Sequence, residues 1–249
     1  MKNLPIYLAA VALVLTFVSC DNKEETPVRT YGQITGQLKL VDEFGVQLTD
    51  HFGVKISEDG GKYDISDASG NYQVNNLSEA TYSLTYEKTG YAVYKKFGLE
   101  VVPANGNGTT IISDTIKLAP VSTTVPSALT MVLDPVDSTF TFSCSLSPLP
   151  GTNYPRAFRL FFSKSSDVTA SDYLFAPSSY WTGTTSSVTV TGFERAEFYN
   201  NGFVSGDTVY AIAYGETIVS NSYLDPVAGQ IFPNINTASP SNVAMIVLP

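Results

Sequence analysis

Cysteine, histidine and tryptophan are nearly missing from this 249-residue chain, which has two, one and one of them respectively. The two cysteines, Cys20 and Cys144, are far apart, so four-cysteine zinc sites and CxxC redox pairs are excluded. His51 is the only histidine and sits in the loop-like stretch LTDHFG, so any Ser–His–Asp arrangement would have to use it. No GxSxG accompanies it, and no GxxxxGK[ST], GxGxxG or HExxH occurs. His51 is therefore expected to be a surface residue, and no metal or cofactor is expected. Basic residues are also few: 14 Lys and Arg stand against 23 Asp and Glu, a formal net charge of -9. Nucleic-acid binding needs a basic footprint, and this chain has the opposite. The acidity favours solubility and argues against polyanionic partners.

Long apolar runs are missing too, except at the start. Ile6 to Val18 is almost wholly apolar and follows Lys2. That run is within the ~7–15 residues of a signal-peptide core and below the ~20 that span a bilayer. Residues 1–19 are expected to be a cleaved signal peptide. Phe17-Val18-Ser19 before Cys20 resembles a bacterial lipoprotein lipobox, with Phe17 where that family usually has leucine. The resemblance implies a diacylglycerol on the Cys20 thioether and acylation of the freed amine. Two or three chains, at ~0.8 kcal/mol per buried methylene, anchor a protein stably where one does not. With Cys20 lipidated, no intramolecular disulfide is available.

Asp21 to Arg29 is polar and contains a proline, so residues 20–30 read as a flexible tether. Lys23-Glu24-Glu25 resembles the lysine followed by two acidic residues found just after the cysteine in surface-exported lipoproteins of Bacteroidota. That resemblance implies an outer-membrane, cell-surface position.

The rest of the chain carries strand signals: Tyr, Phe, Val, Thr and Ile alternate with polar residues, between Gly, Asn, Asp, Ser and Pro clusters. The fold class expected is all-β, with two consecutive β-sandwich domains. The only helical-turn signal beyond the N-terminus is SSDVTASDY at 165–173. A composition break at LAPVSTTVPSAL places a short, stiff linker at 120–127, between domains at 31–119 and 128–249. In the first, Ile34, Gly36, Leu38 and Leu40 share a face, Val54 and Ile56 begin a second strand, and Tyr72/Val74 and Tyr82/Leu84/Tyr86 follow. In the second, strands are expected near 128–133, 139–146, 157–163, 186–191, 207–214 and 242–248. Phe140, Phe142, Cys144 and Leu146 share one parity, so Cys144 is expected to be a small buried hydrophobe and not a nucleophile.

The opening Gly32-Gln33-Ile34-Thr35-Gly36, the turn from Asp67 to Gly70-Asn71-Tyr72, the Tyr82-Ser83-Leu84-Thr85 strand and Gly90-Tyr91 together resemble the carboxypeptidase regulatory-like, transthyretin-like family over residues 31–119. Thr81 stands where that family usually has glycine. The resemblance implies a seven-stranded β-sandwich without catalytic residues. Tyr210 at a sandwich-corner position and the closing Ser239-Pro240-Ser241-Asn242-Val243 look like a fibronectin type III or immunoglobulin-like domain, with Phe142 in place of the early-strand tryptophan.

Four groups could carry function. Asp59, Asp64, Asp67 and Asn71 are oxygen ligands whose spacing fits no EF-hand loop, and turn chemistry accounts for them better than calcium. Tyr180-Trp181 lies between strands; its rings either contact a sugar or protein partner or close the end of the sandwich core. Tyr223, Phe232 and Asn234, in a long hairpin at 215–240, present the same pair of readings. Glu194 and Glu197 flank Arg195 in an expected loop and read as a solvated patch, not a glycosidase pair. The function expected is a non-catalytic binding or scaffolding accessory for a glycan, an uptake complex or another surface protein. The alternative is a structural or adhesive subunit with the sandwiches as stalk.

Overall fold

The computed structural model describes residues 31–103, 108–219 and 221–249. The apolar run, Cys20 and Lys23-Glu24-Glu25 lie outside the described residues. What is described is nearly all β, as the alternating pattern requires.

Eight strands form the first sandwich: β1 (Gly32–Leu40), β2 (Lys55–Glu58), β3 (Tyr63–Ile65), β4 (Asn71–Leu77), β5 (Ala80–Glu87), β6 (Tyr94–Val101), β7 (Thr109–Ile111) and β8 (Ile116–Leu118). One sheet runs β4-β1-β7, with β8 joining β1 further along; the other runs β3-β2-β5-β6. β1 pairs antiparallel with β4 and parallel with β7 and β8. The residues whose period of two points inward meet between the sheets: Ile34, Leu38 and Leu40 against Val54, Ile56, Tyr72, Val74, Leu84 and Tyr86, all buried. Glycine is required at position 36, because a side chain there would collide with the Tyr72 ring. The Tyr72 and Tyr86 hydroxyls satisfy each other inside the core at 2.7 Å. Burial pushes the Tyr72 phenol up to about 12.

The second sandwich contains β9 (Val125–Leu133), β10 (Thr139–Ser147), β11 (Arg156–Ser163), β12 (Tyr180–Thr182), β13 (Ser187–Glu194), α1 (Arg195–Asn200), β14 (Thr208–Glu216), the hairpin β15 (Tyr223–Asp225) and β16 (Gln230–Phe232), and β17 (Ala244–Val247). Its sheets run β13-β10-β9 and β12-β11-β14-β17. Phenylalanines fill the space between them: Phe140 and Phe142 from β10, Phe158 and Phe162 from β11, with Phe198 of α1 and Phe203 behind. Cys144 lies in this core, as its parity requires, and burial pushes its thiol up to about 12. Asn242 joins the two sheets. Its Oδ1 accepts from the Leu129 amide at 2.8 Å, and its Nδ2 donates to the Leu129 carbonyl at 2.9 Å, so one side chain supplies both bonds of a strand neighbour.

Two local expectations are corrected. Residues 165–173 form bends and turns, and the helix is at 195–200, so Glu197 is helical and Glu194 ends β13, where both were expected in a loop. Six residues are too few to show a helical period; the turn is held by Phe198, fully buried 4.9 Å from the Phe140 ring. In β11 every residue is buried, because both of its faces are covered. Phe161 on the outer face packs with Val168, Tyr214 and Ile235. Under the same cover Arg159 meets Glu216 in a two-pronged pair, Nε to Oε2 and Nη2 to Oε1, both 2.9 Å. Burial raises the Glu216 carboxyl above its ordinary range, and the guanidinium opposes that rise.

The two sandwiches are packed together. Glu43, in the loop after β1, accepts from the Thr123 amide at 2.8 Å and from Arg156 Nη1 at 3.0 Å, and Arg156 Nη1 also donates to Thr123 Oγ1 at 2.8 Å. The Arg156 guanidinium lies 5.2 Å over the Phe44 ring, which meets Tyr154 edge-on. Within the stretch expected as a short, stiff linker, Ser122 and Thr124 are buried, and Ser122 Oγ donates to the Glu216 carbonyl.

Breaking the Arg159–Glu216 pair should be costly. Arg159→Met leaves a buried carboxylate without its partner and should lower stability in urea unfolding by about 3–5 kcal/mol. The double change Arg159→Met/Glu216→Leu should recover most of that loss; a double variant as unstable as the single one would contradict the reading of this pair.

Candidate functional site

Among the described residues β12 is an edge strand, paired only with β11, with Phe158 opposite Tyr180 and Ala157 opposite Trp181. Strand alternation therefore sends the two rings to opposite faces. Tyr180 turns inward, its ring 5.5 Å from Phe158, and helps close the core. Trp181 turns outward and is 71% exposed. The adjacent pair is not one platform: core closure belongs to Tyr180, and Trp181 is free for contact.

Beside Tyr180 runs a groove of about 540 Å³ lined by Ser178, Ser179, Phe193, Glu194 and Glu197. Burial, and then the Glu197 charge, raise the Tyr180 phenol above its ordinary value. A second groove, about 360 Å³, shares Glu194 and adds Asp137, Arg195 and Tyr199. Helix α1 stands between the two, with the Arg195 guanidinium 5.8 Å over the Tyr199 ring. Asp137 and Tyr199 carried no signal in the sequence, because only the helical turn brings them beside Glu194. Hydroxyls, carboxylates and ring faces arranged this way can hold a polyhydroxylated ligand. Glu194 and Glu197 are both exposed.

The other candidates are taken up by the fold. Tyr223 meets Tyr94 at 6.1 Å and Phe97 at 6.0 Å and stacks on Phe232, so the hairpin straps the second sandwich to β6 of the first. Asn234 Nδ2 donates to the Ala119 and Pro120 carbonyls. Asp67 accepts from the Ser69 and Asn71 amides and from Asn71 Nδ2, bonds that hold its carboxyl below the usual range, and Asp64 accepts from the Gln73 amide. The Asp67 oxygens serve a turn, and Asp64 ties β3 to β4; among the described residues no group of three or more His, Cys, Asp or Glu is placed to hold a metal ion.

His51 is not a surface residue. It is 3% exposed, and its Nδ1 accepts from the Leu40 amide at 3.1 Å. The end of β1 needs an acceptor there, and the neutral ring provides it.

No protein-family model and no curated protein sequence matches this chain. Among solved structures it is similar to a candidate carbohydrate-binding protein from Bacteroides uniformis, at 15% identity over 87% of this chain and 99% of that one, with a TM-score of 0.34. A DUF3823 family protein from Parabacteroides merdae is similar at 12% identity, covering 87% of this chain and 98% of that one, with a TM-score of 0.30. A chain from a type II cohesin–X–dockerin complex of Acetivibrio cellulolyticus is similar at 16% identity over 36% of this chain and 58% of that one, with a TM-score of 0.29.

His51 gives stability a pH dependence of definite sign. Burial, and then the Lys39 charge, hold its pKa below the ordinary 6.5, with Asp50 acting the other way. The unfolded chain takes up the proton first, so this contribution is complete above pH 6.5 and is lost as pH falls towards the lower folded value. The urea midpoint should decline between pH 6.5 and about 5, above the range where most carboxylates titrate. His51→Asn, which keeps an acceptor near the Nδ1 position, should flatten that segment; an equal decline in the variant would contradict the assignment.

Proposed function

We propose that this chain is a lipid-anchored outer-membrane protein, exposed at the cell surface, that binds a glycan or a surface protein without catalysing a reaction. The observation that carries the binding reading is Trp181, the only tryptophan, held outward on an edge strand with most of its surface free. An indole on a rigid strand gives a large contact area at low entropic cost, and a sugar ring stacks on its face. The polar grooves around α1 extend the contact surface available to such a ligand.

The absence of catalysis in this reading is supported by where the reactive side chains lie. The one histidine is buried with Nδ1 in use, and Cys144 is buried with a raised pKa. The membrane anchor rests on Cys20 after its apolar run, and surface export on Lys23-Glu24-Glu25. Residues 31–119 are read as a carboxypeptidase regulatory-like module, supported by the Asp67–Gly70 turn and the buried Tyr72/Tyr86 pair. Residues 128–249 are read as a fibronectin type III or immunoglobulin-like module, supported by the two facing sheets around Phe142. The second reading, a structural or adhesive subunit, is favoured by the packed junction, since a stalk must not bend at Thr123.

Trp181→Ala removes an exposed ring and should leave stability within about 0.5 kcal/mol of wild type. In a glycan-array screen of the purified chain, wild type should bind at least one polysaccharide class, and the variant should bind it at least tenfold more weakly. Binding that survives the substitution would overturn the role of Trp181.

A further inference from the structure

Where the hairpin straps the sandwiches together, a pocket of about 260 Å³ opens between them. Tyr94, Lys96, Asp114 and Lys117 line it from the first sandwich, and Asn221 and Ser222 from the second. That volume is just below the ~300–1,000 Å³ of sites for drug-sized ligands, so its occupant is about the size of one sugar ring. Asn221 is 4% exposed, yet neither its Nδ2 nor its Oδ1 has a hydrogen-bond partner among the described residues. Buried amides are almost always satisfied, and the terminal torsion of asparagine is broad, so a ligand in the pocket would be met by turning this amide towards it. Lys96 pairs with Asp114 at 3.3 Å, while Lys117 has no ion-pair partner among the described residues. Two lysines against one aspartate leave a local positive charge in a chain whose formal net charge is -9. Tyr94 gives one wall an aromatic surface.

We propose that this pocket between the sandwiches binds a small polyhydroxylated carboxylate of the uronic-acid type. The carboxylate faces Lys117 and Lys96, vicinal hydroxyls take the donor and acceptor of the Asn221 amide, and the C–H face of the ring lies against Tyr94. The ligand touches both sandwiches, so it also stabilises their junction. This site is separate from Trp181 and does not depend on it.

The test is calorimetric titration of the purified full chain with D-glucuronate, D-glucose and acetate, together with thermal melts. Expected are saturable binding of glucuronate with a raised Tm, and affinities at least tenfold weaker for glucose, which lacks the charge, and for acetate, which lacks the hydroxyls. Lys117→Gln, at an exposed position, and Asn221→Leu should each melt no lower than wild type without ligand and bind glucuronate at least tenfold more weakly. Trp181→Ala should bind it unchanged. Absent binding, equal binding of glucose, affinity undiminished in both pocket variants, or loss in Trp181→Ala would overturn the proposal.

Discussion

A buried guanidinium needs an anion, and Arg156 finds its anion on the other sandwich. Glu43 reaches across from the loop after β1, and Thr123 adds an acceptor for the same Nη1 from the connecting segment. Taking such a charge out of water is tolerable only with good hydrogen bonds, and removing one partner costs far more than the pair contributes. The two sandwiches therefore cannot swing apart without leaving charges uncompensated. The other features of the junction agree with this constraint: buried Ser122 and Thr124, the Asn234 bonds to Ala119 and Pro120, and the Tyr223 ring against Tyr94 and Phe97.

That constraint positions the surfaces offered for binding. Arg156 is opposite Thr182 in the β11–β12 ladder, so the strand that carries Trp181 ends at the charge cluster itself. Trp181 is thus presented from a fixed point, and little ordering remains to be done when a ligand arrives. The pocket at Asn221 depends on the junction more directly, because its walls come from both sandwiches.

Most of the main strands were legible because each buries one face; β11, buried on both, reads instead as a mostly apolar run. Phe140, Phe142, Cys144 and Leu146 alternate cleanly, and so do Tyr72 and Val74. What the sequence concealed is of three kinds. Short elements carry no period, so three-residue β12 and six-residue α1 were missed, and with α1 the grouping of Asp137, Glu194 and Tyr199. Polar residues that satisfy backbone look the same as solvated ones: His51 sits in a polar stretch yet serves the Leu40 amide, and nothing in the pattern of the stiff linker marks Ser122 and Thr124 as packed. Finally, neighbours in sequence are not neighbours in space. Tyr180-Trp181 read as a unit, and the pleat divides it between core and solvent.

The central claim is that the two sandwiches form one rigid body. The most direct test is a spin-label distance distribution, with one label at exposed Tyr63 and one at exposed Leu149, on opposite sides of the junction. A single narrow distribution is predicted for the wild-type background, and a broad one when Glu43→Ala removes the anion that Arg156 requires. A broad distribution in the wild-type background would contradict the account.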